Sequence, residues 1–220
     1  MEPTPQRRIV QAEALGWLAA NPAEVGTSVI TSLPDVSEIA DFSFEEWRAW
    51  FVEAAAHVLR WVPEDGLAMF YQSDIRHAGQ WIDKSYLVQR AAEGTPQRLL
   101  FHKIVCRKPA GTLGFGRASY SHLLAFGGPA LSHGEMARVA SGPDVLPDAG
   151  TMSFSRAMGL EAARLACAYL RDATKTRIVV DPFCGQGGVL AMANSMGFDA
   201  VGVDLNGRRC RAARKLMIPA

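Results

Sequence analysis

Short apolar runs alternate along the chain with longer segments whose apolar residues recur every three or four positions. The short runs are rich in β-branched and aromatic residues and predict strands, whereas the longer segments have the spacing of amphipathic helices. Seven strands are predicted, at residues 8–13, 27–31, 67–72, 98–106, 120–126, 177–180 and 200–203. Six helices are predicted, at residues 14–20, 43–62, 81–92, 158–171, 188–196 and 207–217.

The order of these elements predicts an α/β fold. Strands that alternate with helices favour a Rossmann-like, mostly parallel sheet of seven strands with helices on both faces. The strands at 98–106 and 120–126 are expected to form one antiparallel hairpin pair. Residues 127–150 contain many Gly, Pro and Ser and are predicted to be a loop. Ser43 followed by Glu46 has the spacing of a capping box, which indicates that a helix begins there.

The composition is that of a chain able to bury a sizeable core. Of its 220 residues 49% are apolar, and the net charge of +1 argues neither for nor against a nucleic-acid partner. The four cysteines are scattered without a CxxC or Cys/His cluster, so we expect no metal site and a reducing compartment. A signal-peptide pattern and a membrane-length apolar run are both missing. We therefore expect a soluble cytoplasmic protein.

The stretch 178-IVVDPFCGQGGVLAMANSMGFDAVGVD-204 carries the strongest chemical signal. It predicts a strand, a glycine-rich turn, a helix and a second strand ending in an acidic residue. Gly185 and Gly187 allow the backbone to approach a ligand, and the N–H groups of the following helix point toward the turn. Asp204 stands where such units bind ribose hydroxyls. A dinucleotide-binding turn is disfavoured, because Leu190 occupies the place of the third glycine in G-x-G-x-x-G.

Asp181, at the end of the first of these strands, indicates the charge of the ligand. A carboxylate at this place repels a pyrophosphate and attracts an ammonium or sulfonium group. S-adenosylmethionine carries an adenosine, an amino-acid end and a sulfonium, and it has no phosphate. The residues therefore favour S-adenosylmethionine as the cofactor.

The sequence VDPFCGQGGVLAMA resembles motif I of the class I methyltransferases that use S-adenosylmethionine, and GVD resembles their motif II. DPFCG followed by Gly is especially similar to the amino-methyltransferases of DNA and their RNA-modifying relatives. In several of those enzymes the domain is circularly permuted, so that the catalytic strand precedes the cofactor strand. The resemblance implies cofactor contacts from Asp181, Phe183, Gly185, Gly187, Asp204 and Leu205.

Weaker matches complete the permuted order. RIVQAEALGWL resembles the strand-and-acid motif that follows motif II, TSVITSLPD resembles the strand and loop of motif IV, and MSFSRAMGLEAARL lies where the family has a helix near the methionine end. The resemblance implies further cofactor contacts from Glu13, Thr31, Ser153 and Arg156. It also implies one methyltransferase domain over 1–220, with a catalytic half at 1–126, a loop at 127–150 and a cofactor-binding half at 151–220.

The motif IV loop departs from the family pattern of two prolines and an aromatic residue. Ser32 can still accept a hydrogen bond and Pro34 keeps one rigid position, but Asp35 replaces the aromatic residue that stacks on the base. We therefore do not carry over adenine-N6 or cytosine-N4 chemistry. Asp35 is either a general base or base-edge acceptor, or a helix-capping or solvent-facing side chain. The catalytic candidates are Ser32, Pro34 and Asp35.

Basic residues are concentrated between positions 76 and 117, where only Asp83 and Glu93 oppose them. Local positive charge suits a phosphate backbone, and aromatic residues among these positions can stack on bases. A structured RNA such as tRNA or rRNA is the predicted substrate, because it can be recognised by shape with few contacts. The predicted substrate contacts are Arg76, Lys103, Arg107, Lys108 and Arg117.

Other interpretations stay open. A small-molecule methyltransferase would build an apolar pocket from Phe70, Trp81 and the 127–150 loop. A DNA amino-methyltransferase would use the same cofactor motifs, and a non-catalytic cofactor-binding module is permitted by the altered motif IV. The basic cluster is alternatively an ordinary solvated face.

Overall fold

The computed structural model describes residues 4–39, 41–114, 117–129, 131, 141–151 and 158–218. The strands among these residues are β1 (Arg7–Gln11), β2 (Thr27–Thr31), β3 (Leu67–Gln72), β4 (Ile75–His77), β5 (Gln80–Ile82), β6 (Arg98–Cys106), β7 (Tyr120–Gly127), β8 (Val145–Leu146), β9 (Ile178–Asp181) and β10 (Asp199–Asp204). The α-helices are α1 (Ala14–Ala20), α2 (Phe44–Trp61), α3 (Lys84–Ala92), α4 (Leu160–Ala173), α5 (Gly188–Ser195) and α6 (Gly207–Lys215), and a 3₁₀ helix covers Val36–Glu38.

One sheet with the strand order β1-β10-β9-β2-β3-β7-β6-β8 organises the molecule. Every neighbouring pair is parallel except those that involve β7, which runs antiparallel to both β3 and β6. The predicted mostly parallel sheet with an antiparallel hairpin is confirmed. The predicted count of seven strands is wrong, because β8 adds an eighth strand within the segment predicted as a loop. A strand of two residues is too short to show a hydrophobic period, so no sequence pattern marked it.

The helix predicted from residue 81 begins only at Lys84. The preceding residues form β5, which pairs with β4 as a separate antiparallel hairpin. Ala78 and Gly79 connect the two strands with positive φ angles of 47° and 79°, the conformation that tight hairpin turns require. Asp83 then caps α3 by accepting the N–H of Tyr86 at 2.9 Å.

The centre of the sheet joins distant parts of the chain. β2 pairs directly with β9, with Val29 opposite Val180. From β9 the chain continues to β10 on one side, whereas from β2 it continues to β3 on the other side. The carboxyl ends of β9 and β2 therefore lie at a topological switch point, where open α/β sheets form ligand-binding crevices.

Each face of the sheet is covered by its own hydrophobic core. The first core contains buried side chains of α1, α2 and α3, with Trp47 and Phe51 at its centre. The second contains side chains of α4, α5 and α6. The predicted capping box at the start of α2 is confirmed, because Ser43 Oγ accepts the N–H of Glu46 at 3.3 Å and the Glu46 carboxylate accepts the N–H of Ser43 at 2.8 Å. None of the described helices has both the length and the apolar character needed to cross a lipid bilayer.

Gly187 shows how closely α5 and α6 approach each other. It is the N-cap of α5, with a φ of 80°, and a Cβ placed on it would lie 2.8 Å from Ala213 Cβ. Any side chain here is therefore strained in its backbone and also collides with α6.

We expect Gly187→Ala to lower the free energy of unfolding by roughly 2–4 kcal/mol, because backbone strain and overpacking act together. Gly197→Ala is the matched control, since Gly197 has a φ of 92° but no atom within 4 Å of an added Cβ. The control should lose only about 1–2 kcal/mol. Urea denaturation measures both, and equal losses would contradict the close approach of the two helices.

Candidate functional site

A cavity of about 430 Å³ opens at the carboxyl ends of β1, β10, β9 and β2, at the switch point of the sheet. Parallel strands bring residues from both ends of the sequence to this edge. Six of the ten predicted cofactor contacts line the cavity: Glu13, Asp181, Phe183, Gly185, Asp204 and Leu205. The loop after β2 contributes Ser32, Leu33 and Pro34 to the same wall.

The other four predicted cofactor contacts have different positions. Thr31 is buried behind the cavity wall and donates its hydroxyl to Asp181 Oδ1 at 2.7 Å. Gly187 is not among the lining residues, because it packs on α6 and not on the cavity. The glycine there is required by its positive φ and by this helix contact. Ser153 and Arg156 lie outside the described residues, so their assignment stays a prediction.

Asp181 provides the dominant electrostatic feature of the cavity. It is buried, and Oδ1 accepts both the Thr31 hydroxyl at 2.7 Å and the N–H of Phe183 at 3.1 Å. Burial raises the pKa of Asp181 to about 7, the two hydrogen bonds oppose this rise, and the nearby Asp204 adds to it. A buried carboxylate with this balance is stabilised by any cation that binds next to it.

Asp204 holds the glycine-rich turn in place. Its Oδ2 accepts the N–H of Gly185 at 3.0 Å, and its Oδ1 accepts the N–H of Asn206 at 2.7 Å. Each carboxylate oxygen keeps one further lone pair for a ligand. Leu205 follows directly and is 71% exposed at the lip of the cavity.

An aromatic rim along one side of the cavity was missed by the sequence analysis. Phe42 and Trp50 line the cavity together with Phe183, with ring centroids 6.3 Å apart for Phe42–Trp50 and 6.0 Å apart for Trp50–Phe183. Trp50 is partly buried and packs against the first core as well as lining the cavity. It lies three residues after Trp47 and four before Ala54, so the helical spacing did not distinguish it from the core residues.

A second, smaller cavity of about 40 Å³ adjoins the first and shares Ser32, Leu33 and Glu38 with it. Asp35 lies in its wall and forms an ion pair with Lys84, whose side chain is 3% exposed. Asp35 is also the N-cap of the 3₁₀ helix, where its N–H donates to the Glu38 carboxylate at 3.1 Å. Neither interpretation of Asp35 from the sequence included a buried counter-ion.

This ion pair constrains the chemistry of Asp35. If Asp35 took up a proton with no other change, the Lys84 ammonium would be left buried without a counter-ion, which is strongly unfavourable. A role for Asp35 as proton acceptor therefore needs a new anion beside Lys84. The assignment of Asp35 as a general base therefore stays a prediction, and it requires that such an anion forms beside Lys84.

Asp74 and His122 form a buried polar network at the far side of the small cavity. Asp74 accepts hydrogen bonds from the N–H of Lys84 at 3.0 Å, from Trp81 Nε1 at 3.2 Å and from His122 Nε2 at 3.1 Å. Asp74, Asp83 and His122 place possible metal-ligand atoms within 4.8 Å of one another, although their sequence spacing did not indicate this. Both oxygens of Asp74 are already engaged in hydrogen bonds, so this geometry does not favour a metal ion.

Tyr71 places a polar group in the same small cavity. Its hydroxyl is buried and has no hydrogen-bond partner among the described residues. Ser121 is close enough to lower the pKa of Tyr71, against the rise caused by burial, but its hydroxyl is bonded to Ser73 at 2.5 Å. No contact of hydrogen-bond length joins Ser121 to Tyr71, so the Tyr71 hydroxyl is a buried polar group without a partner among the described residues.

Of the five predicted substrate contacts, three lie at or near the small cavity, whereas Lys108 and Lys103 do not line it. Arg107 and Arg117 line the small cavity, and Arg76 lies near it on β4 with its guanidinium 5.5 Å from the centre of the Trp81 ring. Lys108 is exposed next to Arg107 in sequence.

The prediction for Lys103 is wrong. Its side chain is only 1% exposed, and Nζ donates to Gly142 O at 3.0 Å and lies 3.4 Å from Asp144 Oδ1. A lysine committed to a neighbouring loop in this way cannot reach a phosphate. The count of basic residues along the sequence did not separate inward-facing from outward-facing positions of β6.

No family model matches the sequence, and no curated protein matches it. Solved structures do match. TTHA0409 of Thermus thermophilus, provisionally assigned as a DNA modification methylase, is 20% identical, with coverage of 94% of this chain and 92% of that chain and a TM-score of 0.72. The PvuII cytosine-N4-specific DNA methyltransferase is 15% identical, with coverage of 97% and 87% and a TM-score of 0.73. M1.HpyAVI in complex with SAM is 13% identical, with coverage of 96% and 98% and a TM-score of 0.62.

The TM-scores of 0.62 to 0.73 establish a common fold, and at identities of 20% or less they establish no more than the fold. The predicted Rossmann-like fold of the class I methyltransferases is confirmed, and it extends over nearly the whole chain. The fold by itself does not assign an activity, which depends on the residues of the site.

Asp181 leads to a prediction on stability. In the folded protein its pKa is about 7 against an ordinary value of 3.8, so between pH 4 and 7 the folded state holds a proton that the unfolded state has lost. The contribution of Asp181 to stability is therefore greatest below pH 4 and is lost as the pH rises to 7, by an amount on the order of 4 kcal/mol.

Asp181→Asn should remove this loss, so the variant should gain stability relative to the unmodified protein between pH 5 and pH 8. Urea denaturation at the two pH values measures the difference. Asp172→Asn, at an exposed carboxylate paired with Arg171, is the control and should show almost no pH-dependent difference. Parallel pH profiles for Asp181→Asn and the unmodified protein would contradict the assignment.

Proposed function

We propose that this protein is an S-adenosylmethionine-dependent methyltransferase that acts on nucleic acid. The observation that carries the proposal is the buried Asp181 carboxylate in a cavity at the switch point of the sheet, beside a glycine turn held by Asp204. TTHA0409 has also been solved with S-adenosyl-L-methionine, at a TM-score of 0.70 to this chain. That likeness supports the same type of cofactor here.

The residues of the large cavity fit this cofactor. Asp181 offers an anion to its cationic groups, and the remaining lone pairs of Asp204 suit the ribose hydroxyls. Leu205 and Phe183 provide apolar contact for a purine ring. Glu13 lines the cavity, but its oxygens already accept the N–H groups of Leu15 and Gly16 at 2.9 and 2.6 Å. Its contact with the adenine amine therefore uses the second lone pair of one oxygen.

The cofactor supplies an activated methyl group, and the protein supplies position and exclusion of water. The loop Ser32–Pro34 separates the large cavity from the small one, so an acceptor atom beside this loop lies next to both. Trp47 Nε1 donates to Pro34 O at 3.1 Å and fixes the loop against α2. The aromatic rim of Phe42 and Trp50 limits solvent at the cavity mouth. Such positioning accounts for much of the rate of an in-line displacement.

Nucleic acid is the proposed partner because cations collect around the small cavity. Arg107 and Arg117 line it, and Arg76 lies next to the lining residue Ile75 on β4, over the ring of Trp81, which is 42% exposed. Structured RNA was the substrate expected from the sequence. The solved structures with this fold are described as DNA methylases, so DNA is the first substrate to test and RNA is the second.

The small-molecule alternative expected a pocket from Phe70, Trp81 and the 127–150 loop, of which the structure describes the two aromatic residues and only part of the loop. Phe70 is fully buried in the core between the sheet and α2, whereas Trp81 is partly exposed on the β4–β5 hairpin. These two side chains do not line a common cavity among the described residues.

The proposal is tested with methyl-labelled S-adenosylmethionine and an extract of cells that lack this protein, which contains DNA, RNA and small molecules. We expect label in nucleic acid that is released by deoxyribonuclease or by ribonuclease. Label confined to small molecules, or cofactor binding without any transfer, would contradict the proposed function.

Asp204→Ala should weaken binding of S-adenosylmethionine by about 10- to 100-fold, because a charged hydrogen-bond acceptor is lost. Asp199→Ala is its control, since Asp199 lies at the opposite end of β10 and its carboxylate accepts the N–H of Gln6, away from the cavity. Isothermal titration calorimetry measures both affinities, and an equal loss in the two variants would contradict the role of Asp204.

The basic rim leads to a prediction on salt dependence. Arg76→Gln combined with Arg117→Gln should reduce the slope of log affinity against log salt by up to about 2, because two phosphate contacts are removed. Arg164→Gln combined with Arg171→Gln removes equal charge from exposed positions of α4 and should leave the slope unchanged. Fluorescence anisotropy with a labelled duplex measures the slopes. Equal slopes for both double variants would contradict the assignment of Arg76 and Arg117 as phosphate contacts.

A further inference from the structure

We propose that the methyl acceptor is the ring nitrogen of a nucleobase with a lactam edge, that is guanine, uracil or thymine, with its N–H on Asp35 and its carbonyl oxygen on Lys84. The inference rests on the proposed function and specifies its substrate. It comes from the ion pair in the small cavity, which stands where the motif IV loop has an aromatic residue in the resembled enzymes.

Lys84 is an unusual group to bury. Its side chain is 3% exposed, it lines the small cavity, and Asp35 is the sole acceptor of its ammonium among the described residues. Its remaining environment includes the Phe51 ring, 5.9 Å from Nζ. An ammonium has three N–H donors, so two of them have no acceptor within the part of the chain that the structure describes. Buried donors without acceptors are costly, and a ligand carbonyl at this place relieves that cost.

The ion pair presents an acceptor and a donor side by side. A lactam edge carries an N–H next to a C=O, so the N–H can donate to the Asp35 carboxylate while the oxygen accepts from Lys84. Tyr71 also lines this cavity, and its buried hydroxyl has no partner among the described residues. The cavity, at about 40 Å³, admits the edge of a base and does not enclose the ring.

Charge balance favours this acceptor during the reaction. The lactam N–H first gives its proton to Asp35, and the negative charge passes to the lactam, whose oxygen pairs with Lys84. The freed electron pair of the ring nitrogen then forms the N–CH₃ bond while the S–CH₃ bond of the sulfonium breaks, and both the base and the thioether become neutral. The proton on Asp35 leaves to solvent, which restores the Asp35–Lys84 pair. Lys84 thus has an anion beside it when Asp35 takes up the proton, which is the condition that the buried pair imposes.

An exocyclic amine does not satisfy this condition. Attack by the amine of adenine or cytosine develops positive charge on the base, beside a buried ammonium that repels it. Proton transfer to Asp35 does not relieve this repulsion, because an amine acceptor forms no anion on the base with which Lys84 could pair during the reaction. The pair therefore selects against amine acceptors as well as for lactams.

The test identifies the methylated nucleoside. DNA and RNA labelled by the unmodified protein are digested to nucleosides and separated by liquid chromatography with mass spectrometry. We expect the label on a ring nitrogen of guanine, uracil or thymine, and fragmentation locates the methyl group. Label on the exocyclic amine of adenine or cytosine would overturn the lactam assignment and leave the proposed methyltransferase function intact.

Variants test whether the ion pair is responsible. Asp35→Asn combined with Lys84→Met removes both charges with similar side-chain volumes, so the fold does not retain a lone buried charge. We expect this variant to bind S-adenosylmethionine within about twofold of the unmodified protein and to lose about 100-fold or more in transfer. Full transfer by this variant would overturn the proposal.

Lys103→Met is the matched control, because Lys103 is an equally buried lysine that lines neither cavity. It should keep both the rate and the choice of nucleoside. A loss as large as that of the double variant would show that burial of any lysine charge is what matters, and would contradict the specific role of Lys84. Failure of the unmodified protein to bind S-adenosylmethionine is a separate result, which refutes the proposed function itself.

Discussion

The parallel pairing of β2 with β9 is the contact on which the candidate site depends. It joins residues 27–29 to 178–180 and sets the ends of the two strands side by side. Thr31 then reaches Asp181 across 150 residues of sequence, and the loop after β2 lines the same cavity as the glycine-rich turn. Without this pairing the two loops would lie at separate edges. The cavity is therefore a product of sheet order and not of either half alone.

Local patterns predicted the elements that depend on local physics. The capping box of α2, the strands at β2 and β3, and the glycine turn before α5 follow from residue types at short spacing. The rim formed by Phe42 and Trp50 depends on how α2 lies across the sheet, which no short pattern contains. The burial of Lys103 depends on a contact with residues about 40 positions away.

The Asp35–Lys84 pair was missed for the same reason. Asp35 follows β2, Lys84 begins α3, and only the packing of α3 beside β3 brings them together. Burying two opposite charges contributes little to stability compared with apolar residues of similar volume. The pair is therefore weakly explained by stability, which is consistent with the proposed recognition of a lactam edge. The Asp35–Lys84 pair lines the small cavity, whereas the aromatic rim lines the large one.

The permuted order of the strands has a consequence for synthesis on the ribosome. β1 and β2 emerge early, but their neighbours β10 and β9 emerge only after residue 177. At usual rates of translation the two early strands wait on the order of ten seconds with open edges. Exposed strand edges invite pairing with other chains, so the nascent protein passes through an aggregation-prone interval. The charged helix α6, which contains Arg208, Arg211 and Lys215 on exposed positions, emerges only after β9 and β10 have covered these edges.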